Sequence, residues 1–405
     1  MLIKGCRSLL ATLALGYLAG CATPCGAPGE LCAPGQPNTS ASVQPHPPAR
    51  PQAQGAGNAL VPPAETPQAP PPPAGPLRIA LLLPLESASL GLPAEAVRDG
   101  FMAAYERDDA GVEVELVPTG DKVEDVVAAY TAAAARSDIV VGPLARLAVG
   151  AVAASPAAGK PTIALNHPEP GVVLPPGMLA IGLSIEDEAR QAADWAAREH
   201  PQGRALILAG SGTWQRRVAQ AFDERWGELG RNSHLAELPA ADDKVDADAI
   251  DVVRTRMEVD PPELIFAALD AAQLRQVRAV LGTGTACYAA SPANPGRVPG
   301  EPVAELDGLR LLDLPWEVQP DHQAVMIYPR WVAGGHTLDM DRLYALGIDA
   351  FRVARALAQH PGVPVELDGV TGKLAVSPGA QPAFRRTETP AVYSHGAFDT
   401  QAAGH

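Results

Sequence analysis

Residues 78–108, RIALLLPLESASLGLPAEAVRDGFMAAYERD, decide the fold. The opening run, 79–83, is apolar at odd and even positions alike, so as a strand it must be covered on both faces. The stretch finishes as an amphipathic helix. Between the two lies a loop at the place where many strand-then-helix proteins hold a ligand.

The same alternation continues down the chain. Short, nearly continuous apolar runs at 112–117, 139–141, 162–165 and 179–183 are separated by helical stretches, as buried parallel strands should be. A second series follows at 205–209, 234–238, 264–269, 286–290 and 309–314. Between the series runs SIEDEARQAADWAAREH, where Ser184 is expected to cap a helix, Asp187 holds the capping-box position and Glu186 and Glu188 complement the helix dipole. The next helix, TWQRRVAQAFDERWGEL, is expected to be capped by Thr213 and to bury Val218, Phe222, Trp226 and Leu229. Two such series predict an α/β chain of two lobes, each a doubly wound parallel sheet, with a cleft at the carboxyl ends of the strands. The segment RLYALGIDAFRVARALAQH is apolar on more than one face, which predicts a buried helix returning to the first lobe. The tail reads as short antiparallel strands divided by Asp-Gly, Thr-Gly and Pro-Gly turns. The expected boundaries are about 77–184 plus about 318–405 for lobe 1 and about 185–317 for lobe 2.

The ends of the chain bear on where it works. Lys4 and Arg7 precede the apolar run 9–19, the charge order of a secretory leader and too short for a stable membrane span. The run closes on Leu18-Ala19-Gly20-Cys21, which resembles a bacterial lipobox; the resemblance implies a leader over 1–20, acylation of Cys21 and, with Ala22 following, the outer membrane. Residues 22–76 hold sixteen prolines and only Glu30, Arg50 and Glu65 as charges, the composition of a disordered tether, so residues 21–76 are read as a lipidated cysteine and its linker. At about 40 Å as a coil or about 170 Å as polyproline, it holds the body clear of the membrane. Cys25 and Cys32 could close a small loop or stand as a spare or reactive pair.

Charge and motifs exclude several function classes. The chain carries −15, and the body about −16 once Lys4, Arg7, Glu30, Arg50 and Glu65 are set aside, which argues against nucleic acid or an anionic surface as partner. No nucleophile elbow, metal-binding helix or phosphate loop is present; LAGSGT places Ser211 in the wrong frame, and GTGTAC precedes a strand instead of following one. The histidines are scattered without partners at ligand spacing, and Cys287 reads as a small buried hydrophobe. Neither an enzyme nor a metal or other cofactor is expected.

Taken in order, IALLLPL with AVRDGFMAAY, DIVVGPL, PTIALNHP, GLSIEDEARQAA, TWQRRVAQAF, DGLRLLDLPW and RLYALGIDAFRVA resemble the C-terminal domain of the LppC/LpoA lipoproteins across nearly all of 77–398. That resemblance implies the type 1 periplasmic-binding fold and a function as an outer-membrane activator of a class A penicillin-binding protein. Larger members carry a helical-repeat domain where this chain has the proline-rich segment, so nothing specific to that domain is carried over. The fold alone leaves open a tethered receptor for an amino acid or cell-wall fragment. By comparison with solute receptors, the cleft positions are Glu86, Ser87, Gly142, Pro143, Asn166, Ser184, Asp270 and Trp316. Each also has a structural reading: turn residues at Gly142-Pro143 and Asn166, a helix cap at Ser184, a lid over core at Trp316. Glu86 would oppose the carboxylate of an amino acid, so a small ligand is not expected.

Overall fold

An apolar run covered on both faces requires two sets of helices, and the first lobe supplies them. The structure, a computed structural model, describes residues 75–296, 303–332, 334, 336–379 and 381–400. The leader, Cys21, Cys25, Cys32 and the proline-rich segment through residue 74 lie outside the described residues.

Strands β1 (Leu77–Leu83), β2 (Val112–Pro118), β3 (Ile139–Val141), β4 (Thr162–Ala164) and β5 (Met178–Ala180) form a parallel sheet in the order β2-β1-β3-β4-β5. Helix α1 (Gly91–Arg107) covers one face, α2 (Val123–Ala134) and α3 (Arg146–Ala153) the other. Ile79, Leu81 and Leu83 enter the first core and Ala80 and Leu82 the second. The quoted strand therefore buries alternate residues in opposite directions.

The second lobe begins with α4 (Ile185–Glu199) and continues through β6 (Ala205–Gly210), α5 (Thr213–Glu228), β7 (Ser233–Leu238), a small hairpin of β8 (Ala240–Ala241) and β9 (Lys244–Val245), α6 (Ala247–Val259), β10 (Leu264–Ala268), α7 (Ala271–Leu281), β11 (Ala286–Ala289) and β12 (Leu309–Asp313). Helices α4 and α5 pack on one face of its sheet and α6 and α7 on the other. Thr213 is the first helical residue of α5, not its cap: Gly212 occupies that position and its N–H donates to Gln215 Oε1 at 2.9 Å. A glycine suffices there because the glutamine reaches back to it.

After the short helices α8 (Pro315–Val318) and α9 (Gln323–Met326), helix α10 (Leu338–Gln359) lies against α1 over the first sheet. The two helices touch backbone to backbone. A Cβ on Gly100 would lie 1.9 Å from the Tyr344 carbonyl oxygen, and one on Gly347 would lie 2.1 Å from that of Val97. Phe101 and Phe351 then meet edge to face with ring centres 5.3 Å apart.

Strands β13 (Val365–Asp368), β14 (Lys373–Ser377) and β15 (Ala383–Thr387) form a separate antiparallel sheet whose Leu374 and Val376 join the first lobe's core. The expectation that everything after about 318 belongs to lobe 1 is corrected at the next strand. Strands β16 (Thr389–Ser394) and β17 (Ala397–Thr400) pair antiparallel on the edge of β12, extending the second sheet to β17-β16-β12-β11-β10-β6-β7. The free edge of β12 offers unpaired backbone groups, and β16 satisfies them. The chain thus crosses between lobes three times, near 181–184, 314–318 and 388.

Candidate functional site

In a doubly wound sheet the carboxyl ends of the strands are the ligand-facing edge. In lobe 1 that edge borders a cavity of about 520 Å³ lined by Pro93, Asp121, Pro143, Arg146, Asn166 and neighbouring apolar residues. Of the polar side chains there, Thr119, Asp121 and Asn166 are already engaged, whereas Arg146 makes no hydrogen bond or ion pair among the described residues. Ser87 Oγ accepts the N–H groups of Leu90 (2.9 Å) and Ser89 (3.2 Å) and donates to the Asp121 carboxylate, which closes the turn ahead of α1. Asn166 donates through Nδ2 to the Leu144 carbonyl (3.1 Å) and accepts the His167 N–H (2.9 Å). Gly142 sits at φ +117° before a cis bond to Pro143, and a Cβ there would lie 2.1 Å from the Leu82 carbonyl oxygen, so this turn requires glycine. Glu86 is exposed, and its N–H donates to the Thr119 carbonyl.

Lobe 2 closes its own edge. Asp270 caps α7 by accepting the Gln273 N–H at 2.9 Å, and Gln215 Nε2 donates to Gln273 Oε1 at 2.6 Å, which ties the starts of α5 and α7 together. Gln215 and Gln273 were not among the expected residues. Asp270-x-x-Gln273 nevertheless has capping-box spacing and could have been found from the sequence. Ser184 caps α4 through the Asp187 N–H at 3.1 Å, while the Asp187 carboxylate pairs with Arg190 instead of completing the box. Trp316 does not face the cleft. It is fully buried in the first lobe's core, with Arg330 stacked on its ring at 4.2 Å. The structure gathers Pro143 and Asn166 at one cavity, places Ser184 at the hinge, and leaves Asp270 and Trp316 apart from both.

Where the three crossings meet, polar side chains replace apolar ones. Arg386 donates to the carbonyls of Ile181 (2.7 Å) and Gly182 (2.9 Å), so the third crossing grips the first. Gln191 on α4 accepts the Glu388 N–H at 3.0 Å and donates to the Arg386 carbonyl at 3.2 Å. Arg342, in the first turn of α10, reaches into lobe 2: it bonds both oxygens of Asp313 (3.1 and 2.7 Å) and the Ser291 carbonyl (3.0 Å). Glu188 accepts the Ser291 N–H at 2.7 Å. It was expected to serve the α4 dipole; it is instead turned inward and only 3% exposed. Burial, then the Asp313 carboxylate, pushes Glu188 up to about 8, and the same two causes push Glu317 up to about 8. Burial and the Glu188 carboxylate raise Glu388 well above the usual carboxylate range.

Among the described residues no group of three His, Cys, Asp or Glu side chains is placed to hold a metal ion, and no helix is long and apolar enough to cross a membrane. Cys287 is buried, and burial pushes its thiol up to about 11, out of the range of a reactive thiolate.

Two doubly wound lobes joined by a threefold crossing define a type 1 periplasmic-binding-protein-like molecule. Within that class the chain belongs to the LppC lipoprotein family, whose sequence model matches residues 74–393. The penicillin-binding protein activator LpoA of Haemophilus ducreyi is 26% identical over 328 residues, which cover 80% of this chain and 54% of that protein. The chain therefore spans about half the length of the curated relatives it matches. Among solved structures, a Chromobacterium violaceum protein provisionally assigned as a branched-chain amino acid ABC transporter is 33% identical with a TM-score of 0.67, over 78% of this chain and 99% of that one. The C-domain of LpoA from Haemophilus influenzae superposes with a TM-score of 0.63 at 24% identity, over 80% of this chain and all of that one.

Proposed function

We propose that this chain is an outer-membrane lipoprotein, facing the periplasm, that binds a class A penicillin-binding protein and stimulates its peptidoglycan cross-linking without catalysing a step itself. The observation that carries the reading is the family match along residues 74–393, to relatives named as penicillin-binding protein activators. The strand-end chemistry supports it. Ser87, Asn166, Asp270, Gln215 and Gln273 are committed to turns and helix starts, which leaves Arg146, among the described polar side chains lining the lobe 1 cavity, as the one without a partner and so too few to clamp both charged ends of an amino acid. An activator acts by favouring one conformation of its partner, and for that a surface is enough. The test is reconstitution: the full chain, added to the class A synthase of the same cell, binds it and raises cross-linking without any added small ligand. Absence of binding removes the reading.

A second reading has one observation in its favour, the 33% identity to the Chromobacterium violaceum protein. As a solute receptor the chain would gain thermal stability from a branched-chain amino acid, and Asn166→Ala would abolish that gain. The synthase would then be indifferent to it.

A further inference from the structure

The polar cluster at the crossings is short of positive charge. Lobe 2 contributes Glu188 from α4 and Asp313 from the end of β12, the crossings contribute Glu317 on α8 and Glu388 between β15 and β16, and lobe 1 contributes Asp341 and Arg342 from the first turn of α10. All six are less than a tenth exposed. Arg342 is spent on Asp313, Asp339 and the Ser291 carbonyl. Arg386, the other guanidinium facing the cluster, gives its donors to the Ile181 and Gly182 carbonyls and to Thr371, whose hydroxyl in turn serves Asp349. Arg330 bonds the Trp316 carbonyl, His336 lies 2.9 Å from Asp341, and Asp187 is taken by Arg190 at the outer edge. Glu317 Oε1 and Glu388 Oε2 are buried without a hydrogen-bond partner among the described residues.

A buried carboxyl without a partner is tolerated when neutral and strongly disfavoured when ionised. These carboxyls also sit between segments that any movement of one lobe against the other must displace. We propose that the junction is a proton-gated hinge: with Glu188, Glu317 and Glu388 protonated the lobes hold the arrangement of the structure, and loss of those protons sets repelling charges between the crossings and opens the interlobe angle. The cost of ionisation is relieved by admitting water, and the junction admits water by separating Arg342 and its lobe from Asp313 and Ser291. The upward displacement of Glu188 and Glu317 to about 8 places the transition above neutrality. The two strand-end faces would then meet a partner at an angle set by the proton concentration outside the cell membrane.

The test is a distance measurement on the full chain. Spin labels at Ala132→Cys on α2 and Val252→Cys on α6, in a background with Cys25 and Cys32 changed to Ser, report the separation of the lobes between pH 5.5 and 9. The expected result is a change in the distance distribution centred near pH 8, absent in the triple variant E188Q/E317Q/E388Q, which keeps the low-pH distribution throughout. Should the triple variant not fold, E317Q and E388Q are made singly, and each moves the midpoint. A distribution independent of pH overturns the proposal, and so does an unchanged pH response in the variants. A shift accompanied by loss of far-ultraviolet circular dichroism is unfolding and overturns it as well.

Discussion

Replacing Gly347 by alanine tests whether α10 is held to α1 by backbone contact. The added Cβ would stand 2.1 Å from the Val97 carbonyl oxygen, against an ordinary contact of about 3.4 Å, so the helices must part by about 1.3 Å locally. The opposing atom is backbone in a packed helix and cannot swing away. Val97, Phe101, Tyr344 and Phe351 are all buried near this crossing. If each makes about fifty contacts of about 0.1 kcal/mol and the separation forfeits about a tenth of that, the loss is about 2 kcal/mol. Residual strain adds about 1–3 kcal/mol, and the better helix propensity of alanine returns about 1 kcal/mol. The net expectation is a destabilisation of about 2–4 kcal/mol. Gly227 supplies the control: it is an exposed residue of α5 where an added Cβ would meet nothing within 4 Å, so Gly227→Ala should stabilise by up to about 1 kcal/mol. The assay is urea unfolding followed by tryptophan fluorescence, read as a shift of midpoint at constant slope. If Gly347→Ala is as stable as the parent, or Gly227→Ala loses as much, close approach is not what joins these helices.

Other expectations follow from the hinge and the ends. Arg342→Met should cost about 3–5 kcal/mol, because it leaves Asp313 buried and charged without its partner; a loss under about 1 kcal/mol in the same unfolding assay would show that the pair is dispensable. Glu188, raised in the folded state, contributes stability that is fully present below about pH 4.5 and lost as pH rises through about 8. Glu188→Gln should therefore flatten the decline in unfolding free energy over that window, and an unchanged slope would refute the assignment. Cys21→Ala should abolish lipid labelling and membrane fractionation while the circular dichroism of the chain stays the same. Binding of the synthase to this acidic chain should slow with rising salt, since rim charges steer encounter; an association rate indifferent to salt would exclude that contribution.

The two sheets were legible because a strand covered on both faces leaves an unbroken apolar run, as β1, β6 and β10 do, while the edge strands β2 and β7 are interrupted by exposed residues such as Glu113, Glu115 and Glu237. The final assignment of β16 was not, since its alternation says only that one face is buried and not which sheet edge it completes. Gln215 was hidden for a local reason: its partner is a glycine, so the usual hydroxyl or carboxylate at the cap position was missing. Trp316 follows a strand and so shares the position of a cleft residue, and only packing against Tyr344 and Arg330 distinguishes it. The hinge cluster was beyond reach of the sequence. Glu188, Asp313, Glu317, Arg342 and Glu388 are brought together over two hundred residues of separation, and an acidic residue in the first turn of α4 looks the same on paper whether it faces water or the interior.

Helix α10 also sets the order in which the molecule can be finished. The first sheet is complete in sequence by residue 180, yet the face formed by Ile79, Leu81 and Leu83 lacks part of its cover until residues 338–359 have emerged. The second sheet likewise waits for 389–400. A chain made from its N-terminus must carry an apolar sheet face open through some 150 further residues, so the first lobe is covered only after the parallel strands of the second have been made, and the second lobe is completed last.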